Sequence, residues 1–129
     1  MEWQEQWDVV VVGSGAGGLV AAITAAYNGQ KVLLVEKSDV FGGSSALSGG
    51  GLWIPNNHVS KKAGLQDSEE EALTYMEDVI EDKGPASTHE RKVAYIKNGS
   101  KMVSFLEDLG MQWIAAPLYP DYYPERPGG

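Results

Sequence analysis

The chain has 129 residues, of which 43% are hydrophobic and 22% charged, and this composition is typical of one globular domain. Its 10 basic and 18 acidic residues give a formal net charge of −8 with no basic stripe, which argues against nucleic acid as a partner. The absence of cysteine excludes disulfides, thiolate catalysis and thiolate metal sites, and it fits a cytoplasmic protein. We expect no metal site and, without ~18 continuous apolar residues, no transmembrane helix.

A glycine-rich turn follows the first apolar run. Val9–Val12 is a continuous β-branched run, which is typical of a parallel strand buried on both faces. Gly13, Gly15 and Gly18 follow it in Gly-x-Gly-x-x-Gly spacing. In this spacing the first glycine permits a tight turn, the second lets a pyrophosphate approach the backbone, and the third lets the helix pack on the strand. The turn therefore predicts a phosphate site at a helix N-terminus.

The next segment completes a strand–helix–strand unit. Leu19–Tyr27 predicts a helix rich in small residues, and Lys31–Val35 predicts the second strand. Glu36 follows Gly18 at close to the ~20-residue separation expected of the acid that binds the adenosine ribose. We expect its carboxylate to accept hydrogen bonds from both ribose hydroxyls and to repel a 2′-phosphate, which argues against NADP. This unit alone leaves both FAD and NAD open.

A second glycine cluster follows directly, in Lys37–Leu52. It comes off the carboxyl end of the second strand, where ligands bind in open α/β sheets. Bare backbone and small hydroxyl side chains suit a large planar ligand. The alternative is a flexible linker, but the interleaved Phe41, Leu47 and Trp53 favour burial and argue against it.

Four stretches resemble the FAD-binding part of the fumarate reductase/succinate dehydrogenase flavoprotein superfamily, and within it the 3-ketosteroid Δ1-dehydrogenase branch. They are Gly13–Gly18, Glu36-Lys37, Phe41–Pro55, and the tail from Tyr119-Pro-Asp-Tyr-Tyr-Pro to Pro127-Gly-Gly. The resemblance covers nearly the whole chain. Its second glycine string, with Leu-Trp-Ile-Pro, is far more specific than the first glycine motif.

The resemblance implies an α/β fold. A Rossmann-like βαβ FAD-binding unit (residues 1–55) would precede a helical segment (56–110) and a Pro/Tyr-rich active-site segment (111–129). With only two predicted strands, we expect a single truncated domain, that is, an incomplete FAD-binding domain at the N-terminus of a longer flavoenzyme.

The cofactor implied is FAD. Some members of the superfamily attach it through a histidine early in the second glycine segment, where this chain has Gly43. We therefore expect non-covalent FAD, and we expect His58 and His89 to be solvated surface residues. The residues expected to bind FAD are Gly13, Ser14, Gly15, Ala16, Gly17, Gly18, Glu36, Lys37, Ser38, Gly43, Ser44, Ser45, Ser48, Gly49 and Gly50.

The middle of the chain predicts helices. Ser68 with Glu71, and Ser87 with Glu90, have the spacing of capping boxes. We expect Asn98-Gly99 to interrupt the last helix. A short strand is expected at 111–115.

The tail carries three tyrosines, Tyr119, Tyr122 and Tyr123. The residues alone favour aromatic packing. By resemblance, however, Tyr123 is a catalytic residue that supports a separate tyrosine acting as base. In the family that base removes a proton beside a ketone, and the neighbouring carbon gives hydride to flavin N5. Ionising a phenol of pKa ~10 at neutral pH costs roughly 4 kcal/mol, which a hydrogen-bond donor can reduce.

The function expected is that of an FAD-dependent CH–CH dehydrogenase of the 3-oxosteroid 1-dehydrogenase type, with a steroid ketone as substrate and an external electron acceptor. This chain would supply the FAD-binding part and be inactive alone. The alternatives are a fumarate-reductase-like or other FAD-dependent dehydrogenase, and a non-catalytic nucleotide-binding remnant.

Overall fold

The computed structural model describes residues 5–119 and 121–129. The backbone divides into two compact units, and their boundary lies between Leu52 and Trp53. Within the described ranges, no helix has both the length and the apolarity needed to cross a membrane.

The first unit is a strand–helix–strand arrangement followed by a short helix. Strand β1 (Val9–Val12) leads through the glycine turn into helix α1 (Ala16–Tyr27), and strand β2 (Val32–Val35) follows. The strands are parallel and in register from Val9–Val32 to Val12–Val35, and α1 packs against both. Helix α2 (Gly43–Leu47) begins in the second glycine cluster. The predicted Rossmann-like βαβ unit is confirmed.

Strand β1 is covered on one face only. Val11 lies on the α1 side, where its Cγ1 is 3.5 Å from the Cβ position of Gly18. Val10 and Val12 point the other way and are 55% and 82% exposed. The run is typical of a strand buried on both faces, but in the two-stranded sheet of this chain it is covered on one face only. A β-branched run reports strand preference, whereas burial depends on what packs against each face.

The second unit is helical. It contains α3 (His58–Lys62), α4 (Glu69–Ile80) and α5 (His89–Asp108). Its core forms where α4 and α5 pack together, around Ala72, Met76 and Ile96. The predicted helical segment is confirmed.

The helix caps agree with the sequence at α4 and differ at α5. The Ser68 hydroxyl accepts a hydrogen bond from the Glu71 N–H (3.1 Å) and donates to the Glu71 carboxylate, so Ser68 is confirmed as N-cap. The second half of the capping box does not form, because the Ser68 N–H donates to Asp67 Oδ1 at 2.8 Å. At α5 the N-cap is Thr88, not the predicted Ser87. The Ser87 hydroxyl instead accepts from the Lys83 N–H at 2.7 Å.

Helix α5 runs without a break through Asn98-Gly99, so the predicted interruption is wrong. The Asn98 amide donates to the Ala94 carbonyl at 2.7 Å and so bonds within the helix. A Cβ at Gly99 would lie 3.0 Å from Ile54 Cγ2, so the glycine lets Ile54 pack against the helix. This packing offsets the ~1 kcal/mol that a glycine costs in a helix.

The predicted strand at 111–115 is also wrong. No strand partner for it exists among residues 5–119 and 121–129, where β1 pairs with β2 only. The segment is held by a side chain instead, because Trp113 Nε1 donates to the Val103 carbonyl at 3.0 Å.

Candidate functional site

The glycine turn brings the start of α1 to the carboxyl edge of the two strands. The Gly13 N–H donates to the Val35 carbonyl at 2.7 Å, which ties the turn to the end of β2. Gly13 has φ +93°, a backbone conformation that favours glycine. A Cβ at Gly18 would lie 2.0 Å from the Gly13 carbonyl oxygen, so only glycine permits this packing. The turn and the first helical turn therefore have the close-packed geometry that the sequence predicts.

The N-terminus of α1 is suited to an anion. Its N-cap, Gly15, has no capping side chain, and its first turn carries no acidic residue. The Ala16 N–H donates to the Ser45 hydroxyl at 3.2 Å. In the part of the chain that the structure describes, the Gly17 and Gly18 N–H groups have no acceptor. Unpaired N–H groups and the positive end of the helix dipole together attract a phosphate.

Glu36 lies at the end of β2 and is held by local donors. Its Oε2 accepts from the Ser14 N–H (2.9 Å) and from the Ser14 hydroxyl, and its Oε1 accepts from the Ser38 N–H (2.9 Å). These hydrogen bonds lower the pKa of Glu36 to about 2. The bond from the Ser14 hydroxyl contributes most, and the bond from the Ser38 N–H comes second. The residue is thus a fixed anion at neutral pH. Each carboxylate oxygen has two lone pairs, and both pairs of Oε2 are engaged. The remaining acceptor capacity of Glu36 therefore lies on Oε1.

The second glycine segment begins against the first. The Gly42 N–H donates to the Ser14 hydroxyl at 2.9 Å. A Cβ at Gly43 would lie 3.5 Å from the Gly15 Cα, so the two glycine segments are neighbours. Ser45 continues this contact through its bond with the Ala16 N–H. The beginning of the segment is therefore packed through its glycines and Ser45. The expected burial of the interleaved apolar residues is wrong for this structure, since Phe41, Leu47 and Trp53 are 78%, 90% and 38% exposed.

The rest of the segment is exposed. The Ser48 hydroxyl donates to the Ser45 carbonyl at 2.8 Å and accepts from the Gly50 N–H at 3.1 Å. Lys37, Ser44 and Gly49 are also exposed. The structure therefore brings the predicted residues of the glycine turn together with Glu36, Ser38, Gly43 and Ser45. The other predicted residues are exposed to solvent, namely Lys37, Ser44, Ser48, Gly49 and Gly50.

Comparison with known proteins identifies the family in which this arrangement occurs. A family model described as "FAD binding domain" matches residues 8–126. The chain belongs to the FAD binding domain family. The resemblance noted in the sequence is confirmed, and the cofactor of the family is FAD.

Three relatives illustrate the similarity. The chain is 48% identical to a 3-oxosteroid 1-dehydrogenase of Mycolicibacterium smegmatis, over 97% of this chain and 22% of that protein. It is 43% identical to a 4-oxocyclohexanecarboxylate 2-dehydrogenase of Sinomonas cyclohexanicum, over 95% and 21%. A solved 3-ketosteroid Δ1-dehydrogenase of Sterolibacterium denitrificans, in complex with 1,4-androstadiene-3,17-dione, superposes with a TM-score of 0.84 at 42% identity, over 95% and 21%. The chain thus spans about a fifth of the length of the relatives it matches.

The geometry of the first unit fits FAD. The free Gly17 and Gly18 N–H groups suit a pyrophosphate, and the space beside Gly15 is open, since the nearest atom to its Cβ position is the Ser45 hydroxyl at 3.9 Å. The ionised Glu36 can accept a hydrogen bond from a ribose hydroxyl. Contact of each residue with FAD stays a prediction.

Tyr123 lies in the second unit, in a tail held against α4. The Tyr123 N–H donates to Asp121 Oδ1 at 2.9 Å, and Arg126 Nε donates to Asp78 Oδ2 at 2.6 Å. A Cβ at Gly128 would lie 2.2 Å from the Glu71 carbonyl oxygen, so the tail passes close to the helix backbone. The side chain of Tyr123 is 50% exposed and available for contact. Pro120, in the tyrosine motif, lies outside the described residues.

A buried tyrosine supports the same tail. Tyr75 of α4 is 7% exposed, and burial raises the pKa of its hydroxyl. The Asp121 carboxylate raises this pKa further by its charge and by a hydrogen bond. Asp121 therefore connects the backbone of Tyr123 with the buried face of α4.

Both histidines have carboxylate partners in the second unit. His58 Nε2 pairs with Glu107 at 2.5 Å, and His89 Nδ1 pairs with Glu77 at 2.9 Å. Glu77 also pairs with Lys92, a lysine that is only 2% exposed. Lys92 and the link from Ser14 to Gly42 are features that sequence reasoning missed. The position of Lys92 near Val93 and Ile96 on one helix was the available signal for the first.

Proposed function

We propose that the protein acts as an FAD-dependent dehydrogenase of the 3-oxosteroid 1-dehydrogenase type. The observation that supports this most is the 48% identity to such an enzyme, which extends over 97% of the chain and includes the tail with Tyr123. The substrate would be a steroid ketone, from which a hydride and a proton leave neighbouring carbons. When bound, FAD supplies the hydride acceptor, and an external acceptor then takes the electrons.

The first unit would bind and orient the cofactor. The N–H groups at the start of α1 would hold the pyrophosphate, and Glu36 would accept a hydrogen bond from the adenosine ribose through Oε1. Gly43 and the segment after it would line the flavin end. The fixed negative charge of Glu36 would disfavour a ligand with a 2′-phosphate.

The cofactor would be held without a covalent bond. Gly43 occupies the position at which some relatives in the superfamily carry the attaching histidine, and His58 and His89 pair with Glu107 and Glu77 in the second unit. Acid precipitation of the FAD-loaded protein should therefore release all of the flavin to the supernatant. Flavin absorbance in the washed pellet would contradict this proposal.

Tyr123 would assist proton removal. Its hydroxyl would donate a hydrogen bond to a second tyrosine that acts as base, and this would reduce the cost of forming the phenolate, roughly 4 kcal/mol at neutral pH. Asp121 holds the backbone of Tyr123 through the N–H, which restricts the segment that carries the side chain.

Because this chain is expected to be inactive alone, the test is turnover of 4-androstene-3,17-dione by an FAD-loaded full-length flavoenzyme that contains it, with a dye as electron acceptor. Tyr123→Phe should lower kcat by about 100-fold with little change in KM, because the lost donor acts in the transition state. Tyr122→Phe is the matched control, since the Tyr122 side chain is 90% exposed and should leave turnover unchanged. An FAD-loaded full-length enzyme that does not oxidise the steroid would refute the assignment.

A second candidate substrate is a monocyclic ketone acid. It is favoured by the 43% identity to a 4-oxocyclohexanecarboxylate 2-dehydrogenase, whose name also describes removal of hydrogen from a ring ketone. A comparison of kcat/KM for this acid and for 4-androstene-3,17-dione separates the two. Preference for the acid would replace the steroid and keep the reaction class. A cytoplasmic location stays a prediction from composition.

A further inference from the structure

Ser14 is the most completely buried residue of the candidate site. It is 0% exposed, although its side chain is polar. A buried hydroxyl is costly unless its hydrogen bonds are satisfied. Those of Ser14 are satisfied by two segments far apart in the sequence, at separations of 22 and 28 residues.

The partners of Ser14 fix the direction of its hydroxyl proton. The Gly42 N–H can only donate, so the Ser14 oxygen must accept in that bond (2.9 Å). A serine hydroxyl has a single proton, and this proton is then left for Glu36 Oε2. The Ser14 N–H donates to the same oxygen at 2.9 Å. Glu36 Oε2 therefore has both lone pairs engaged by one residue.

This arrangement determines which part of Glu36 faces a ligand. With Oε2 held by Ser14, the free acceptor capacity of the carboxylate is on Oε1, where the Ser38 N–H takes one lone pair. Ser14 itself is inaccessible and cannot touch a bound dinucleotide through its side chain. The sequence predicted that Ser14 binds the cofactor. The geometry instead gives its side chain an indirect role in cofactor binding, through Glu36.

We propose that Ser14 is a positioning residue, which orients Glu36 so that Oε1 meets a hydroxyl of the adenosine ribose. This inference rests on the proposed binding of FAD by the first unit. Two effects follow from the one hydroxyl. It holds the side chain in a single orientation, and it lowers the pKa of the carboxylate.

The surroundings of Glu36 support the second effect. The groups that lower its pKa most are hydrogen-bond donors, namely the Ser14 hydroxyl and the backbone N–H groups of Ser38 and Ser14. The charged side chains adjacent in sequence are Lys37 and Asp39, and both are exposed. The largest single contribution comes from Ser14 across 22 residues of chain. Removing that hydroxyl should loosen Glu36 and raise its pKa.

The experiment compares two ligands that differ only at the ribose. ADP and 2′,3′-dideoxy-ADP compete with FAD, and flavin fluorescence reports their affinities for the wild type, Ser14→Ala, Glu36→Ala and the double variant. The wild type should prefer ADP by about 10-fold, as a hydrogen bond to a charged group predicts. Ser14→Ala should reduce this preference to less than about 3-fold, and so should Glu36→Ala. The double variant should show no further loss, because the two residues act in series.

The control is Thr24→Ala, which removes an exposed hydroxyl from α1 and should keep the 10-fold preference. Circular dichroism confirms that each variant is folded. A Ser14→Ala protein that keeps the wild-type preference would overturn the inference, and so would additive losses in the double variant. FAD binding by a wild type that does not discriminate between the two ligands would overturn the inference and leave the proposed function standing. A wild type that binds no FAD would overturn both.

Discussion

The contact between Gly18 and Gly13 allows a sharp test of the glycine turn. A Cβ at Gly18 would lie 2.0 Å from the Gly13 carbonyl oxygen and 3.1 Å from its carbonyl carbon. Both atoms belong to the backbone and cannot move aside by a change of rotamer. Gly18→Ala must therefore separate the start of α1 from the turn.

The neighbouring glycine supplies the matched control. A Cβ at Gly17 would meet nothing within 4 Å, although Gly17 lies in the same helical turn. Gly17→Ala should stabilise the fold by up to about 1 kcal/mol through helix propensity. Gly18→Ala gains the same propensity, but the clash costs more, since insertion of a methyl group into close-packed structure costs typically 1–3 kcal/mol and occasionally more.

The free energy of unfolding, measured by urea titration with circular dichroism, checks this prediction. We expect Gly18→Ala to be less stable than Gly17→Ala by about 1–3 kcal/mol or more, which is the cost of the clash, because the helix propensity that both variants gain cancels in the difference. The affinity for FAD should fall in Gly18→Ala, because the N–H groups at the start of α1 move with the helix. Equal stability of the two alanine variants would refute the close-packing argument.

Three further predictions concern Glu36 and the helical unit. Glu36→Arg should weaken FAD binding by about 10- to 100-fold, measured by flavin fluorescence, because a charge-assisted hydrogen bond is lost. Unchanged affinity would mean that Glu36 does not meet the ribose. Ser68→Ala should lower the free energy of unfolding by about 1 kcal/mol, since the Glu71 N–H loses its cap. A urea titration that shows no change would contradict the capping role of Ser68. Gly128→Ala should release the tail from α4 and speed proteolysis near Tyr123, because its Cβ would lie 2.2 Å from the Glu71 carbonyl oxygen; protection equal to the wild type would argue against this docking.

The local parts of the fold could be predicted from the sequence. The Gly-x-Gly-x-x-Gly spacing after Val9–Val12 specifies the turn, the helix and the return strand within a few residues, because glycine sterics and strand propensity act at short range. The N-cap at Ser68 has the same local character. The family resemblance depended on a further local string, the second glycine segment.

The parts that failed depend on contacts between distant residues. Asn98-Gly99 has the composition of a helix break, but Ile54 packs where a side chain at Gly99 would be, and α5 continues. Residues 111–115 had a strand-like pattern, but a strand needs a partner, and Trp113 was anchored to a helix carbonyl instead. A sequence pattern contains propensity, whereas these outcomes were decided by tertiary packing.

The candidate site also combines features that local sequence predicts with features that depend on distant residues. Glu36 could be predicted from its separation from Gly18, but its environment could not, because the donor that affects it most is on Ser14. This donor is present before any ligand binds. The carboxylate is therefore oriented in advance, and we expect it to accept a hydrogen bond from a ribose hydroxyl and to repel a 2′-phosphate. We therefore expect the charge of Glu36 to disfavour a 2′-phosphate, and Ser14 to orient that charge.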